Sequence, residues 1–213
     1  MVVSSGVRHG GEDGVRDIVA FDFDGTLTVR DSFNSFLVWR APAGRLVSGL
    51  LRLTPAAISY VFDRDRERLK SSAVAVFLKG LTPQELEAEA EAFCDKVWDG
   101  FMRPDALETW RRWGEAGALR LIVTASPELT VRPFARRLGA DELIGTRLKL
   151  DGQGRIAGPF DGRNCRAQEK VERLRARFGP DVRLKAAYGD SSGDVEMLEL
   201  AEEAGMKVFT GRP

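Results

Sequence analysis

Three short apolar runs stand out from an otherwise charged chain. Ile18-Val19-Ala20-Phe21 stops at Asp22, Leu119-Arg120-Leu121-Ile122-Val123 stops at Thr124, and Leu184-Lys185-Ala186-Ala187-Tyr188 stops at Gly189-Asp190. Each is too short for a helix and too continuously apolar for a strand with one wet face, so each reads as a buried strand of a parallel sheet. A helical pattern follows every one of them. The alternation predicts an α/β protein, a Rossmann-like parallel sheet flanked by helices. Ligands of such sheets sit beyond the carboxyl ends of the strands, where Asp22, Thr124 and Asp190 all fall.

Between the first two strands the pattern turns almost wholly helical. Thr82-Pro83-Gln84-Glu85 combines an N-cap threonine, a proline at the first helical position and a glutamate three residues after the cap, predicting a helix to about Trp98. Leu46 to Phe62 and Arg66 to Leu78 read as two more helices. Residues 33–101 are therefore expected to form an inserted α-helical cap domain over the site, with residues 17–32 and 102–213 making a discontinuous α/β core. Within the core, Asp151-Gly152-Gln153-Gly154 marks a turn and predicts a small hairpin over Lys149 to Gly158.

Composition narrows the function. The chain has 213 residues and 43% hydrophobic content, enough for one substantial core. Its 32 basic and 32 acidic residues balance, which gives no reason to expect nucleic acid as a partner. The two cysteines, Cys94 and Cys165, lack zinc or redox-pair spacing and are expected as reduced thiols of a cytoplasmic protein. Residues 1–16, rich in glycine, serine and charge, lack a secretory apolar region and read as a flexible tail. The sole histidine, His9, lies in that tail, so no histidine-dependent mechanism is expected.

Four segments carry candidate chemistry. Asp22 and Asp24, in Asp22-Phe23-Asp24-Gly25-Thr26, can face one pocket if the chain turns at Gly25; one would be a nucleophile and the other a proton carrier, the alternative being an acidic loop capping a helix. Thr124 offers a hydroxyl and neighbouring amides at a strand end, a place suited to phosphate but equally to structural capping. Lys170 opposes the dipole of its own helix start, which phosphate binding would explain, although a solvated surface lysine is the common outcome. Asp190 and Asp194, four apart in Gly189-Asp190-Ser191-Ser192-Gly193-Asp194, can point at one hard cation such as magnesium, and the alternating pattern of a calcium loop is absent.

Taken in order, these segments resemble the motif set of the haloacid dehalogenase superfamily of phosphohydrolases, over about Asp17 to Phe209. The helical insert resembles the phosphoserine-phosphatase-like subgroup. The resemblance implies that Asp22 attacks phosphorus, that Asp24 first protonates the leaving oxygen and then activates water, and that Thr124 and Lys170 hold phosphoryl oxygens. It further implies a magnesium ion on Asp22, Asp190 and the main-chain carbonyl of Asp24, supported by Asp194 through water. The phosphoserine pattern has serine at Gly25 and a serine followed by two glycines at Thr124-Ala125-Ser126, which argues against phosphoserine. Asp31 stands where an acid could greet a substrate amine, or could cap the Phe33 helix.

Asp31-Ser32-Phe33-Asn34-Ser35-Phe36-Leu37 and Asn164 to Lys170 resemble more closely a branch that includes phosphatidylglycerophosphate phosphatases. Leu46 to Phe62, apolar but interrupted by Arg52 and Pro55, falls short of the ~18 uninterrupted apolar residues of a spanning helix. With Arg64, Arg66, Arg68 and Lys70 after it, the stretch could lie on the anionic inner face of a membrane, or it could pack within the cap. The expectation is a magnesium-dependent phosphomonoester hydrolase working through an aspartyl-phosphate, with phosphatidylglycerophosphate as candidate substrate. The alternatives are a phosphatase of a small soluble ester such as phosphoserine, a dehalogenase, and a non-catalytic module of the same fold.

Overall fold

A computed structural model describes residues 16–41 and 66–213. The expected helix over Leu46 to Phe62, most of the tail and His9 lie outside the described residues. Arg16, the last residue of that tail, is docked: its guanidinium donates to the Gly117 carbonyl at 2.8 Å and to the Ala118 carbonyl at 3.1 Å.

Five parallel strands form the sheet in the order β3-β2-β1-β6-β7. They are β1 (Ile18–Phe21), β2 (Leu119–Pro127), β3 (Glu142–Thr146), β6 (Leu184–Gly189) and β7 (Ala201–Met206). β1 lies at the centre, paired with β2 and β6, which is why all four of its residues are buried and apolar. The pleat sends Val19 and Phe21 to one face, Ile18 and Ala20 to the other. On the first face pack α4 (Pro104–Glu115) through Trp110 and α5 (Glu128–Leu138) through Phe134; on the second pack α6 (Gln168–Phe178) through Val171 and Leu174 and the single turn α7 (Val195–Leu198) through Met197.

The insert leaves and returns through a neck. Thr28 and Met102 form an antiparallel bridge, the Val29 amide donates to the Phe101 carbonyl at 2.9 Å, and the Arg103 amide donates to the Leu27 carbonyl at 2.9 Å. Its described helices are α1 (Ser32–Arg40), α2 (Arg66–Phe77) and α3 (Pro83–Val97). α3 starts as the sequence predicts, with a reciprocal capping box between Thr82 and Glu85. Asp31 caps α1, its carboxylate accepting from the Asn34 amide at 2.8 Å. The hairpin forms from β4 (Leu148–Leu150) and β5 (Ile156–Phe160). It serves the insert: Ile156 exchanges backbone bonds of 2.8 Å with Gly80 and Leu81.

Insert and sheet share one apolar core. Phe33, Phe36, Val74, Leu86 and Phe93 are contiguous with Phe21, Phe23 and Phe134. α3 is also held to α5 by charge, with Arg132 on Glu87 at 3.0 Å, Arg136 on Glu87 and Glu91, Arg137 on Asp95 at 3.3 Å, and the Arg137 guanidinium 4.3 Å from the Trp98 ring centre. These pairs are largely exposed and each contributes at most about 1 kcal/mol; the shared aromatic core does more to fix α3 on the sheet layer.

Candidate active site

The chain leaves β1 at Asp22, whose amide donates to the Tyr188 carbonyl of β6 at 2.8 Å. Residues Phe23–Leu27 then wind into one tight turn, made possible by Gly25 at φ 85°. Arg103 fastens the turn from the neck: its Nε donates to the carbonyls of Gly25 at 3.1 Å and Thr28 at 3.2 Å, and an Nη reaches the Gly211 carbonyl at 3.0 Å. A Cβ on Gly25 would lie 2.1 Å from an Asp190 carboxylate oxygen. Gly25→Ala therefore forces Asp190 aside as well as straining the backbone, and is expected to lower stability by about 1–2 kcal/mol; thermal melting checks this. An unchanged melting temperature would mean that the turn relaxes freely.

All the sequence-predicted polar groups converge here. Lys170, read as either phosphate-binding or solvated, is 1% exposed. Its ammonium donates to Asp22 Oδ1 at 2.7 Å, Asp194 Oδ1 at 2.6 Å and the Val123 carbonyl at 2.6 Å, using all three N–H groups. Asp194, 1% exposed, turns its other oxygen to the amides of Asp190 at 3.2 Å and Ser191 at 2.9 Å and to the Ser191 hydroxyl at 3.0 Å, which shapes the loop presenting Asp190. Carboxylate oxygens of Asp22, Asp190 and Asp194 all lie within 4.8 Å of one another. The Asp24 side chain stands outside that trio: Oδ1 accepts from the Ser32 amide at 2.7 Å and Oδ2 from the Ser126 hydroxyl. Thr124 is fully buried at the end of the β2 apolar run, its Oγ1 accepting from the Ser126 amide at 3.1 Å.

Burial dominates the electrostatics. It pushes the Asp22 carboxyl up to about 7 against the pull of Lys170, with Asp194 and Asp24 adding to the rise. Burial and the neighbouring carboxylates of Asp194 and Asp24 also raise Asp190. Desolvation works against the charge on Lys170, but Asp22 and Asp194 outweigh it and hold the ammonium above its ordinary range. Asp194 is buried too, yet Lys170 and Ser191 keep its carboxyl below the usual value. The result is a buried cation between anions with further negative charge in excess, a donor set of hard oxygens that suits magnesium.

Ser126, Ser32 and Arg103 were not singled out as site residues by the sequence. Only Ser126 had a signal: it lies two residues beyond Thr124 on extended chain and so shares its face.

Residues 19–199 match the haloacid dehalogenase-like hydrolase family. The chain is 61% identical over 196 residues to Protein CicA of Caulobacter vibrioides, covering 92% of this chain and 88% of that one. It is 32% identical over 136 residues to Phosphoserine phosphatase SerB1 of Mycobacterium tuberculosis, covering 60% of this chain and 42% of that protein. Among solved structures, a Bordetella pertussis protein of unknown function superposes with a TM-score of 0.72 at 26% identity, over 86% of each chain. A substrate-bound phosphoserine phosphatase superposes with a TM-score of 0.59 at 18% identity, over 90% of this chain and 86% of that one, a likeness of fold.

Proposed function

Because the chain belongs to the haloacid dehalogenase-like hydrolase family, we propose that it is a magnesium-dependent phosphomonoester hydrolase in which Asp22 carries the phosphoryl group as an aspartyl-phosphate. The observation that carries this reading is the fully buried Lys170 bridging Asp22 and Asp194, with Asp190 in the same cluster and Asp24 beside it. A structural ion pair needs one carboxylate per cation; three buried or half-buried carboxylates around one ammonium call for a further cation to balance them. Asp22, Asp190 and the Asp24 carbonyl would hold magnesium, supported by Asp194. The ion, when bound, would offset the repulsion between nucleophile and phosphate.

The protein's own residues divide the rest of the work. An Asp22 oxygen bonds to phosphorus as the ester P–O bond breaks, and the departing alkoxide takes the proton of Asp24. Asp24, now a carboxylate, takes a proton from water as the water oxygen bonds to phosphorus and the Asp22–phosphorus bond breaks, releasing phosphate. Lys170 exchanges its Asp22 contact for a phosphoryl oxygen, and Thr124 donates to another. A dehalogenase would have no use for an acid at Asp24, since halide leaves without a proton.

Chelation is expected to silence turnover in a screen of phosphomonoesters, and added magnesium to restore it, with calcium a poor substitute because of its larger, looser shell. Activity persisting in protein shown by elemental analysis to be metal-free would overturn the metal assignment. Proton and metal should also compete at Asp22. Burial pushes its carboxyl up to about 7, so the magnesium-induced rise in melting temperature should be larger at pH 8 than at pH 6. The reverse order would remove Asp22 from the ligand set.

For the substrate, a phosphorylated glycerolipid headgroup such as phosphatidylglycerophosphate is favoured over phosphoserine, with docking at an anionic inner membrane face and a cytoplasmic site. Val38 and Trp39 support this: they are 60% and 37% exposed near the end of α1, a few residues before the apolar sequence 46–62 in the chain. Among the described residues no helix is long and apolar enough to cross a membrane. In mixed vesicles phosphatidylglycerophosphate should show a higher specificity constant than phosphoserine, and Leu50→Glu or Leu51→Glu should weaken the lipid reaction selectively. Preference for a soluble ester with no vesicle sedimentation would eliminate the lipid substrate and leave the hydrolase reading intact.

A further inference from the structure

Asp24 is gripped from two sides. Its Oδ1 accepts from the amide of Ser32, the first residue of α1 at the entry to the insert, at 2.7 Å. Its Oδ2 accepts from the hydroxyl of Ser126, near the end of β2 in the sheet. Ser126 is fully buried and itself anchored, its amide donating to Thr124 Oγ1 at 3.1 Å and its carbonyl standing 3.0 Å from where a Cβ on Gly145 would be. The Ser32 bond is a backbone contact that any residue but proline could make. The Ser126 bond needs a side chain, and neither alanine nor glycine could supply it.

From this geometry we infer that Ser126 is a positioning residue that holds the Asp24 carboxyl in the orientation needed to protonate the leaving oxygen. The inference rests on the phosphatase reading above. Hydrogen bonds to the two oxygens from different layers oppose rotation of the carboxyl plane about the Cβ–Cγ bond. A carboxyl oxygen keeps acceptor capacity whether or not the group carries a proton, so the serine hydroxyl can donate to the acid and to the carboxylate alike and leave the acidic proton free for the leaving oxygen. Ser126 can therefore hold Asp24 in both protonation states, before and after the proton leaves.

The test exploits the leaving group. An alkyl phosphate expels an alkoxide that must be protonated, while p-nitrophenyl phosphate expels a stabilised phenolate that needs little help, and kcat/KM reports the first irreversible step for both. Ser126→Ala should lose kcat/KM on glycerol phosphate by roughly tenfold more than on p-nitrophenyl phosphate. Ser126→Cys, similar in volume but only a weak donor, should show the same selectivity and serves if the alanine variant does not fold. Equal losses on the two esters, or none on either, would overturn the positioning role. Wild-type enzyme measured alongside, with phosphatidylglycerophosphate in vesicles as a second alkyl ester, separates the two failures: if it hydrolyses none of the three with magnesium, the phosphatase reading has failed, and if it hydrolyses p-nitrophenyl phosphate and an alkyl ester while the variants are unselective, only Ser126 has.

Discussion

Replacing Asp22 with asparagine is expected to lower turnover by at least about a thousandfold while leaving the fold in place. An amide oxygen is too weak a nucleophile to form the acyl-phosphate, so the first step stops. The fold should survive because the lost charge is not needed to balance the cluster: Lys170 keeps Asp194 at 2.6 Å, and an asparagine oxygen can still accept from it. The carboxylate is also a costly form of this side chain, since burial pushes its pKa to about 7. Metal-free Asp22→Asn should therefore melt no lower than wild type at pH 8, where the native carboxylate is ionised. Steady-state turnover and a melting curve on freshly purified protein, before deamidation can restore aspartate, give both readings. Near-normal activity in the folded variant would end the covalent mechanism.

How much of this was legible depended on how each element is buried. β1 and the apolar segments of β2 and β6 announce themselves because interior parallel strands are apolar on both faces. β7 did not: it is an edge strand reading Ala-Glu-Glu-Ala-Gly-Met, mostly exposed and paired only with β6, so neither alternation nor an apolar run marks it. β3 was missed too, a short strand whose polar ends, Glu142 and Thr146, look like loop. The hairpin was legible from its turn residues, but its purpose was not, because pairing Ile156 with Gly80 and Leu81 spans some seventy-five residues of chain. The site divides along the same line. Asp22, Asp24, Asp190 and Asp194 are legible through short-range spacing at strand ends. Arg103 reaches Gly25 across 78 residues, and Ser126 reaches Asp24 across 102; local patterns hold nothing of either contact. Lys170 stands between, its residue type visible but its burial decided wholly by the tertiary fold.

Lys170→Met is expected to abolish turnover and, unlike Asp22→Asn, to destabilise the protein. Methionine fills much of the space left by the butyl stem but leaves Asp22 and Asp194 buried without their shared cation, a loss of about 3–5 kcal/mol in metal-free protein near pH 8. The pH dependence follows from the directions of the shifts. Lys170 lowers both carboxyls, so its removal raises both native pKa values. A carboxyl whose native pKa exceeds its unfolded value holds a proton that the unfolded chain has released, and stability falls as pH rises through the interval between them. For Asp22 in wild type that interval already runs from 3.8 to about 7; in Lys170→Met it should extend further upward, and Asp194 should join it. Urea melts of metal-free variant and wild type from pH 5 to pH 9 should therefore converge toward the acid end and separate toward the basic end. Adding Asp22→Asn to Lys170→Met removes one of the stranded charges and should recover part of the lost stability, a favourable coupling between two neighbouring changes. If the single variant is as stable as wild type at pH 9, or the double variant is less stable than the sum of the singles, the buried cluster is not held by Lys170 and the charge-balance argument for a metal at this site fails with it.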